Sequence, residues 1–373
     1  MAAAFDPSLV YQVGRAVGIE GRAKHNVATR STNSSGRYYG LSFYAPTINI
    51  FRDPRWGRGS EGYGEDPALA AALAAAYIQG MQGLDIPQPA PPPSTAAPYY
   101  LTVATAKHFV AYDVDRTPPR LSFDPNVSAT DLLQTYGPAF RSAVQQGSVA
   151  SVMCSYNGVN GTPMCASPLI DSWLRQAMGF GNQSLEREHS AASPPPPVAF
   201  VVSDDDAIEF MMDEHHYSAD LPTACAAAFN AGVDMDLGNT CGAGGGDAPL
   251  LQALSRRLVD LSTLRRALSR SLYARFRLGM FDPPSLVPFS GLGDADVLSP
   301  SHRQLALDAA LRGIVLLSNP GPILPLRAAS NRDSRSAVHS AGPGTTIRRL
   351  AVIGPNADSP RALAGTYNGC QVN

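Results

Sequence analysis

The chain has 373 residues, of which 44% are hydrophobic and 16% charged, and its formal net charge is -2. That balance gives no electrostatic case for nucleic acid or a membrane surface as partner. No apolar run approaches the roughly 20 residues that cross a bilayer. The length suits one barrel-sized α/β unit with something appended.

The first predicted element is a helix, opened by Asp6 as cap and Pro7 in the first turn, with Val10, Val13 and Val17 as its apolar stripe. Met1 to Pro7 carries neither the basic nor the long apolar region of a signal peptide. Leu41 to Pro46 and Ile48 to Phe51 read as a strand running into a polar loop, Arg52 to Gly59. Asp66 and Pro67 start a second, alanine-rich helix that ends near Gly83. A proline-rich insert follows near 87–98 and reads as extended and exposed.

Leu101 to Ala106 is the next strand and delivers Lys107-His108 at its end. Ser128 to Asp131 reads as a capping box for a helix whose apolar face is Leu132, Tyr136, Phe140 and Val144, with a kink expected at Gly137-Pro138. Val149 to Tyr156 is a strand that ends in an Asn157-Gly158 turn. A helix over 168–178 leads into a second insert near 183–197.

Directly after it, Val198-Ala199-Phe200-Val201-Val202 breaks into Ser203-Asp204-Asp205-Asp206. A buried strand that ends in carboxylates places acid groups where α/β enzymes keep their chemistry. Three adjacent carboxylates cannot all be buried cheaply in one pocket, so one is the working group, or the cluster only caps the next helix.

A helix near Ala219 to Ala231 and a strand over 232–237 complete the strand-loop-helix series. This pattern argues for a parallel sheet with functional residues at the strand ends, closing most naturally as a (β/α) barrel. Gly242 to Gly246 reads as a flexible surface loop. Leu254, Leu258, Leu261, Leu268 and Leu272 form the apolar stripe of a long helix, and Arg256, Arg257, Arg265, Arg266 and Arg270 form its solvated face.

Residues 284–303 read as a linker. Beyond it a second α/β unit is expected over 304–373, with a helix over 305–317, a polar disordered insert over 330–346 and a buried strand from Leu350 to Asn356. Its remaining length is too short to close a core alone.

Five cysteines are too few and too scattered for a disulfide scaffold, although Cys154 and Cys165 flank a turn and can bridge. No cluster of His and carboxylates has metal-ligand spacing, so neither metal nor cofactor is expected. Four Asn-X-Ser/Thr triplets, at Asn33, Asn126, Asn160 and Asn182, lean toward a secretory origin.

Read together, the strand ends offer Arg58, Lys107, His108, Tyr156 and Asp204. Cations, hydrogen-bond donors, an aromatic ring and one carboxylate suit a neutral polyhydroxylated ligand. The runs Asn49 to Arg58, Gly64-Glu65-Asp66-Pro67, Ala106-Lys107-His108-Phe109, Met153 to Asn157, Val202-Ser203-Asp204 and Gly313 to Leu317 together resemble glycoside hydrolase family 3. Met153 to Asn157, Tyr112 to Asp115 and Ser203 to Ala207 are most similar to its β-xylosidase and α-L-arabinofuranosidase branch, with Asp205 where that branch often has Cys.

The resemblance implies a (β/α)8 TIM-barrel-like N-terminal domain over 1–283, incomplete at its start, and then the beginning of an α/β sandwich domain. It implies a retaining exo-acting glycosidase on β-linked xylosides, arabinosides or glucosides, with Asp204 as nucleophile. Arg58, Lys107, His108 and Tyr156 would hold the sugar. The general acid/base Glu would lie beyond Asn373, which makes the chain an expected internal fragment of a secreted enzyme.

Overall fold

The structure, a computed structural model, describes residues 1–33, 35–36, 38–85, 99–116, 118–181, 199–321, 324–325, 327–328, 346–347, 349–359, 362 and 367. Both proline-rich inserts, and the polar insert over 330–346 apart from its last residue, lie outside them. The chain divides into two units, Met1–Gly313 and Ile314–Asn373.

In the first unit the elements run α1 (Pro7–Thr32), β1 (Ser42–Phe43), α2 (Pro67–Gln82), β2 (Val103–Phe109), α3 (Ala129–Asp131), α4 (Gly137–Gln145) and β3 (Ser151–Cys154). A small hairpin, β4 (Gly158–Val159) and β5 (Thr162–Pro163), precedes β6 (Phe200–Ser203). Five helices follow: α5 (Ala207–Asp213), α6 (Leu221–Ala231), α7 (Pro249–Ser255), α8 (Leu261–Arg277) and α9 (Pro300–Gly313).

Strands β1, β2, β3 and β6 form one sheet in that order, and every pairing is parallel. Single parallel bridges, Thr47 to Lys107 and Val202 to Met235, extend it at both sides. Among the described residues the sheet stays open and does not close on itself. Because the strands are parallel, the ends of β2, β3 and β6 lie on one rim. Residues of β2, β3 and β6 are buried throughout, as expected for strands covered on both faces.

Local chemistry sets the helix starts. Asp6 Oδ1 accepts from the Ser8 and Leu9 amides at 2.9 and 3.1 Å, and Asp66 Oδ1 accepts from Ala68 at 2.8 Å. The two Asp-Pro pairs therefore cap α1 and α2 as anticipated. These helices cross closely through small residues: a Cβ added at Gly80 would lie 2.1 Å from the Tyr11 carbonyl oxygen, and one at Gly14 2.3 Å from that of Tyr77. Glycine is required at this crossing.

Buried polar groups tie the layers. The Arg22 guanidinium, only 4% exposed as a residue, donates to the carbonyls of Leu101, Tyr100 and Leu278. Burial pushes its pKa down to about 10. Beside β6, Asp234 accepts from Arg175 at 2.5 Å, from Arg270 at 3.0 Å and from the Val201 amide at 2.8 Å.

Several expectations are corrected. The helix expected across Leu254 to Leu272 is two helices, broken where Arg257 takes φ +58°. Its arginine face is not simply solvated, since Arg256 pairs with Asp220 and Arg270 with Asp234. A helix, α5, follows the acidic run at once, whereas the sequence pattern indicates none before residue 219. The kink at Gly137-Pro138 takes the form of a π-helical turn over Leu132–Tyr136 just before it.

Cys154–Cys165 is a disulfide, and so is Cys225–Cys241, which spacing alone did not indicate. In the second unit Leu350, Val352 and Ile353 are exposed and outside any strand, contrary to the buried strand expected there. An apolar run forms a buried strand only when a sheet receives it. The helix expected to reach Leu317 ends at Gly313.

Candidate active site

Asp204 is the first residue after β6. Its amide donates to the Cys154 carbonyl at 3.1 Å, which continues the β3–β6 ladder and holds the carboxyl at the rim. The three carboxylates diverge there: Asp204 is 8% exposed, Asp205 is exposed, and Asp206 sits half-buried at the start of α5 with φ +58°. Asp206 occupies the cap position, yet its side chain makes no capping bond. Asp204 is thus the one buried acid of the run.

One carboxyl oxygen is committed. Asp204 Oδ1 accepts from the Asp205 amide at 2.9 Å. Among the described residues no donor reaches Oδ2 with hydrogen-bond geometry, although the Tyr156 hydroxyl is close enough to favour its charge, and Oδ2 lies 3.4 Å from His108 Nε2, which has no hydrogen-bond partner among them either.

His108 reaches the site from β2, with Lys107 beside it. The imidazole is fixed by Asn49: its ring Nδ1 lies 3.0 Å and its backbone amide 2.8 Å from Asn49 Oδ1, while Asn49 Nδ2 donates to the His108 carbonyl at 2.8 Å. The last bond identifies Oδ1 as the acceptor, so the ring proton sits on Nδ1 and Nε2 carries a lone pair. Burial, then the neighbouring Arg58 and Lys107 charges, hold the His108 pKa well below the ordinary imidazole value. The His108–Asp204 contact is therefore no ion pair near neutrality.

Arg58 enters from the polar loop after Phe51. Glu61 grips its guanidinium at two points, 2.8 and 2.9 Å, and the cation lies 5.6 Å from the centre of the Tyr112 ring. Burial pushes Glu61 upward, but its bonds to Arg58 and the charges of Arg58 and Lys107 more than offset this, and the net shift is downward. Lys107 is shifted down by burial and by Arg58, against the pull of Asp204 and Glu61.

Tyr156 follows β3 inside the Cys154–Cys165 loop. Its ring lies 5.7 Å from Phe210 and 6.2 Å from Tyr112, and His215 Nε2 meets its carbonyl at 2.7 Å. Burial and then the adjacent Asp204 charge raise its phenol, so it remains a proton donor. Burial likewise raises Asp204, against the Asp205 amide, Lys107, Arg58 and Tyr156, which all favour the carboxylate.

The structure thus gathers Asp204, Arg58, Lys107, His108 and Tyr156 around one carboxylate. Asn49, Glu61, Tyr112 and His215 also belong to the site; Asn49 and Tyr112 open two of the quoted runs, but the sequence assigns none of the four a role. Asn49 had a visible signal, a lone amide between two isoleucines in an apolar run. Among the described residues no group of three or more His, Cys, Asp or Glu is arranged to hold a metal ion. The arrangement suits an anion nucleophile facing a neutral ligand rich in hydroxyls.

The sequence pattern of the glycosyl hydrolase family 3 N-terminal domain matches residues 1–243. A curated relative, β-xylosidase/α-L-arabinofuranosidase 1 of Medicago sativa subsp. varia, is 38% identical over 372 residues, covering 99% of this chain and 41% of the relative. A solved exo-β-xylosidase of the same family, bound to a xylobiose aziridine probe, superposes with a TM-score of 0.71 at 30% identity, over 87% of this chain and 38% of that one. A β-glucosidase from Erythrobacter marinus superposes with a TM-score of 0.67 at 27% identity, over 88% and 37%. The chain therefore spans about two fifths of the length of the proteins it matches.

Proposed function

The chain belongs to glycosyl hydrolase family 3, and on that premise we propose that it supplies the nucleophile and first sugar subsite of a retaining glycosidase acting on β-xylosides. The observation that carries this reading is the Asp204 carboxyl: buried at a strand end, one oxygen held by a backbone amide, the other open beside His108.

The roles follow from which atoms are already engaged. Oδ2 attacks the anomeric carbon and the leaving-group oxygen departs with a proton from an acid; water then cleaves the glycosyl ester and the sugar leaves with net retention. Arg58 and Lys107 donate to sugar hydroxyls and keep Asp204 ionised in a buried setting. Tyr156 donates, and His108 Nε2 accepts a hydroxyl hydrogen. Such contacts accelerate the reaction to the extent that they tighten as the ring flattens toward an oxocarbenium-like transition state.

Xylosides are favoured over glucosides because the relatives with the higher identities are named for xylose and arabinose, while β-glucosidases enter at lower identity. A glucoside differs from a xyloside by one hydroxymethyl group, so pocket shape at that position decides between the two. Glucosidase activity is the second reading, and arabinofuranosidase activity accompanies the first.

The test is covalent trapping. A 2-fluoroxylosyl donor with an activated leaving group needs little acid assistance, so it reports on Asp204 alone. Peptide mass spectrometry should find the label on Asp204, formed faster than from the 2-fluoroglucosyl analogue. A folded sample that takes no label would leave only a non-catalytic sugar-binding role, and faster glucosyl labelling would favour the second reading.

A further inference from the structure

Two of the four Asn-X-Ser/Thr triplets, Asn126-Val127-Ser128 and Asn160-Gly161-Thr162, lie wholly within the described residues, and their asparagines are opposite in character. Asn160 sits in the turn between β4 and β5, and its side chain is spent on the other triplet. Its Oδ1 accepts from the Val127 amide at 2.7 Å and its Nδ2 donates to the Val127 carbonyl at 3.0 Å, while its own amide donates to Pro125 at 3.2 Å. The middle residue of one triplet is thus held by the asparagine of the other.

That two-point grip uses the Nδ2 hydrogen on the same side of the amide as Oδ1. An N-linked sugar occupies this very position, because a planar, trans amide puts its substituent on the oxygen side and its remaining hydrogen opposite. A glycan on Asn160 therefore removes the bond to Val127 and drives a sugar into its backbone. Asn126 has neither obstacle: it is exposed, and among the described residues no hydrogen bond engages its side-chain amide. Pinning Val127 inward leaves Asn126 facing out.

A second observation fixes the compartment. The Cys154–Cys165 and Cys225–Cys241 bonds belong to an oxidising environment, which in eukaryotic cells is also where asparagines receive glycans. We infer that Asn126 is an N-glycan attachment site of this protein and that Asn160 is kept unmodified as the clamp that presents it.

The test is expression of the chain in yeast behind a cleavable secretory leader. Digestion of the microsomal and secreted protein with peptide-N-glycosidase F in heavy-oxygen water marks each formerly glycosylated asparagine for peptide mass spectrometry. The expected result is a mark at Asn126 and none at Asn160. Asn126→Gln should abolish the mass shift of one glycan with both disulfides still closed. Thr162→Val, which destroys the second triplet without touching the Asn160 amide, should leave that shift unchanged. An unmarked Asn126, a mark at Asn160 in protein with both disulfides closed, or a smaller shift in Thr162→Val would overturn the inference.

Discussion

Replacing Asn49 with leucine separates the positioning of His108 from its presence. The side chains are close in size, and both Asn49 and His108 are almost fully buried, at 3% and 1% exposure, so bulk water cannot replace what is lost. Three bonds disappear: those to the His108 amide and ring Nδ1, and the one from Asn49 Nδ2 to the His108 carbonyl. The imidazole can escape one penalty by moving its proton to Nε2, where Asp204 Oδ2 waits at 3.4 Å. Two backbone groups then remain unpaired, and at about 1–3 kcal/mol for each buried orphan the expected loss of stability is about 2–6 kcal/mol.

The tautomer shift has a second effect. Nε2 turns from acceptor to donor, ties up the attacking oxygen and can no longer take a sugar hydroxyl, so kcat/KM should fall by about one to two orders of magnitude for a lost interaction of about 1–3 kcal/mol. Urea unfolding reads the first effect, trapping kinetics with the fluorosugar the second, and nitrogen chemical shifts of His108 the tautomer. A variant that loses less than about 1 kcal/mol, or that keeps its proton on Nδ1, would refute the reasoning.

Asp204→Asn should abolish covalent trapping, yet unfold at a temperature no lower than the parent at pH 7. The folded-state pKa of Asp204 is raised by burial, so the stability it contributes is fully present below the ordinary carboxylate pKa and is lost as pH rises through the folded value. The advantage of the amide should vanish on acidification, and a variant less stable at pH 7 would contradict the sign. The trapping rate should rise with pH through a pKa above the usual carboxylate range, and an acid limb at or below that range would count against burial as the dominant influence. Asp234→Ala leaves Arg175 and Arg270 without their carboxylate and the Val201 amide unpaired, so urea unfolding should show a loss of about 3–5 kcal/mol; a change under about 1 kcal/mol would show that the network is not coupled to folding. Gly80→Ala forces a methyl against the Tyr11 carbonyl and should cost about 1–3 kcal/mol in the same assay, whereas an unchanged midpoint would mean the α1–α2 crossing relaxes freely.

What was legible in the sequence is what local chemistry decides. The Asp6-Pro7 and Asp66-Pro67 starts needed only their own backbones to be right, and both form the caps that their sequence indicates. The carboxylate after Val201-Val202 and the Lys107-His108 pair were visible because charge at the end of a buried strand must open onto a cleft or meet a partner. The Arg256-Arg257 break was not visible, since the leucines on both sides keep helical spacing and only the left-handed turn interrupts them. Nor was Cys225–Cys241, which is closed by how α6 meets the loop after Met235 rather than by spacing.

The same division runs through the site itself. Residue types at strand ends indicate a sugar pocket, but not which atom of each residue meets the sugar. That depends on backbone geometry and on partners near and far: Asn49 takes Nδ1 of a histidine 59 positions later, while the amide of the very next residue, Asp205, takes Oδ1 of Asp204. With those two atoms engaged, Nε2 and Oδ2 remain, 3.4 Å apart and neither taking a hydrogen bond of ordinary geometry among the described residues. Facing lone pairs in a buried site are unfavourable, so a ligand that brings a hydroxyl there gains more than one hydrogen bond of the ordinary kind. The hydroxyl next to the anomeric carbon can give its one hydrogen to Nε2 and leave Oδ2 facing that carbon, and for a retaining enzyme such a contact strengthens as charge develops at the neighbouring carbon.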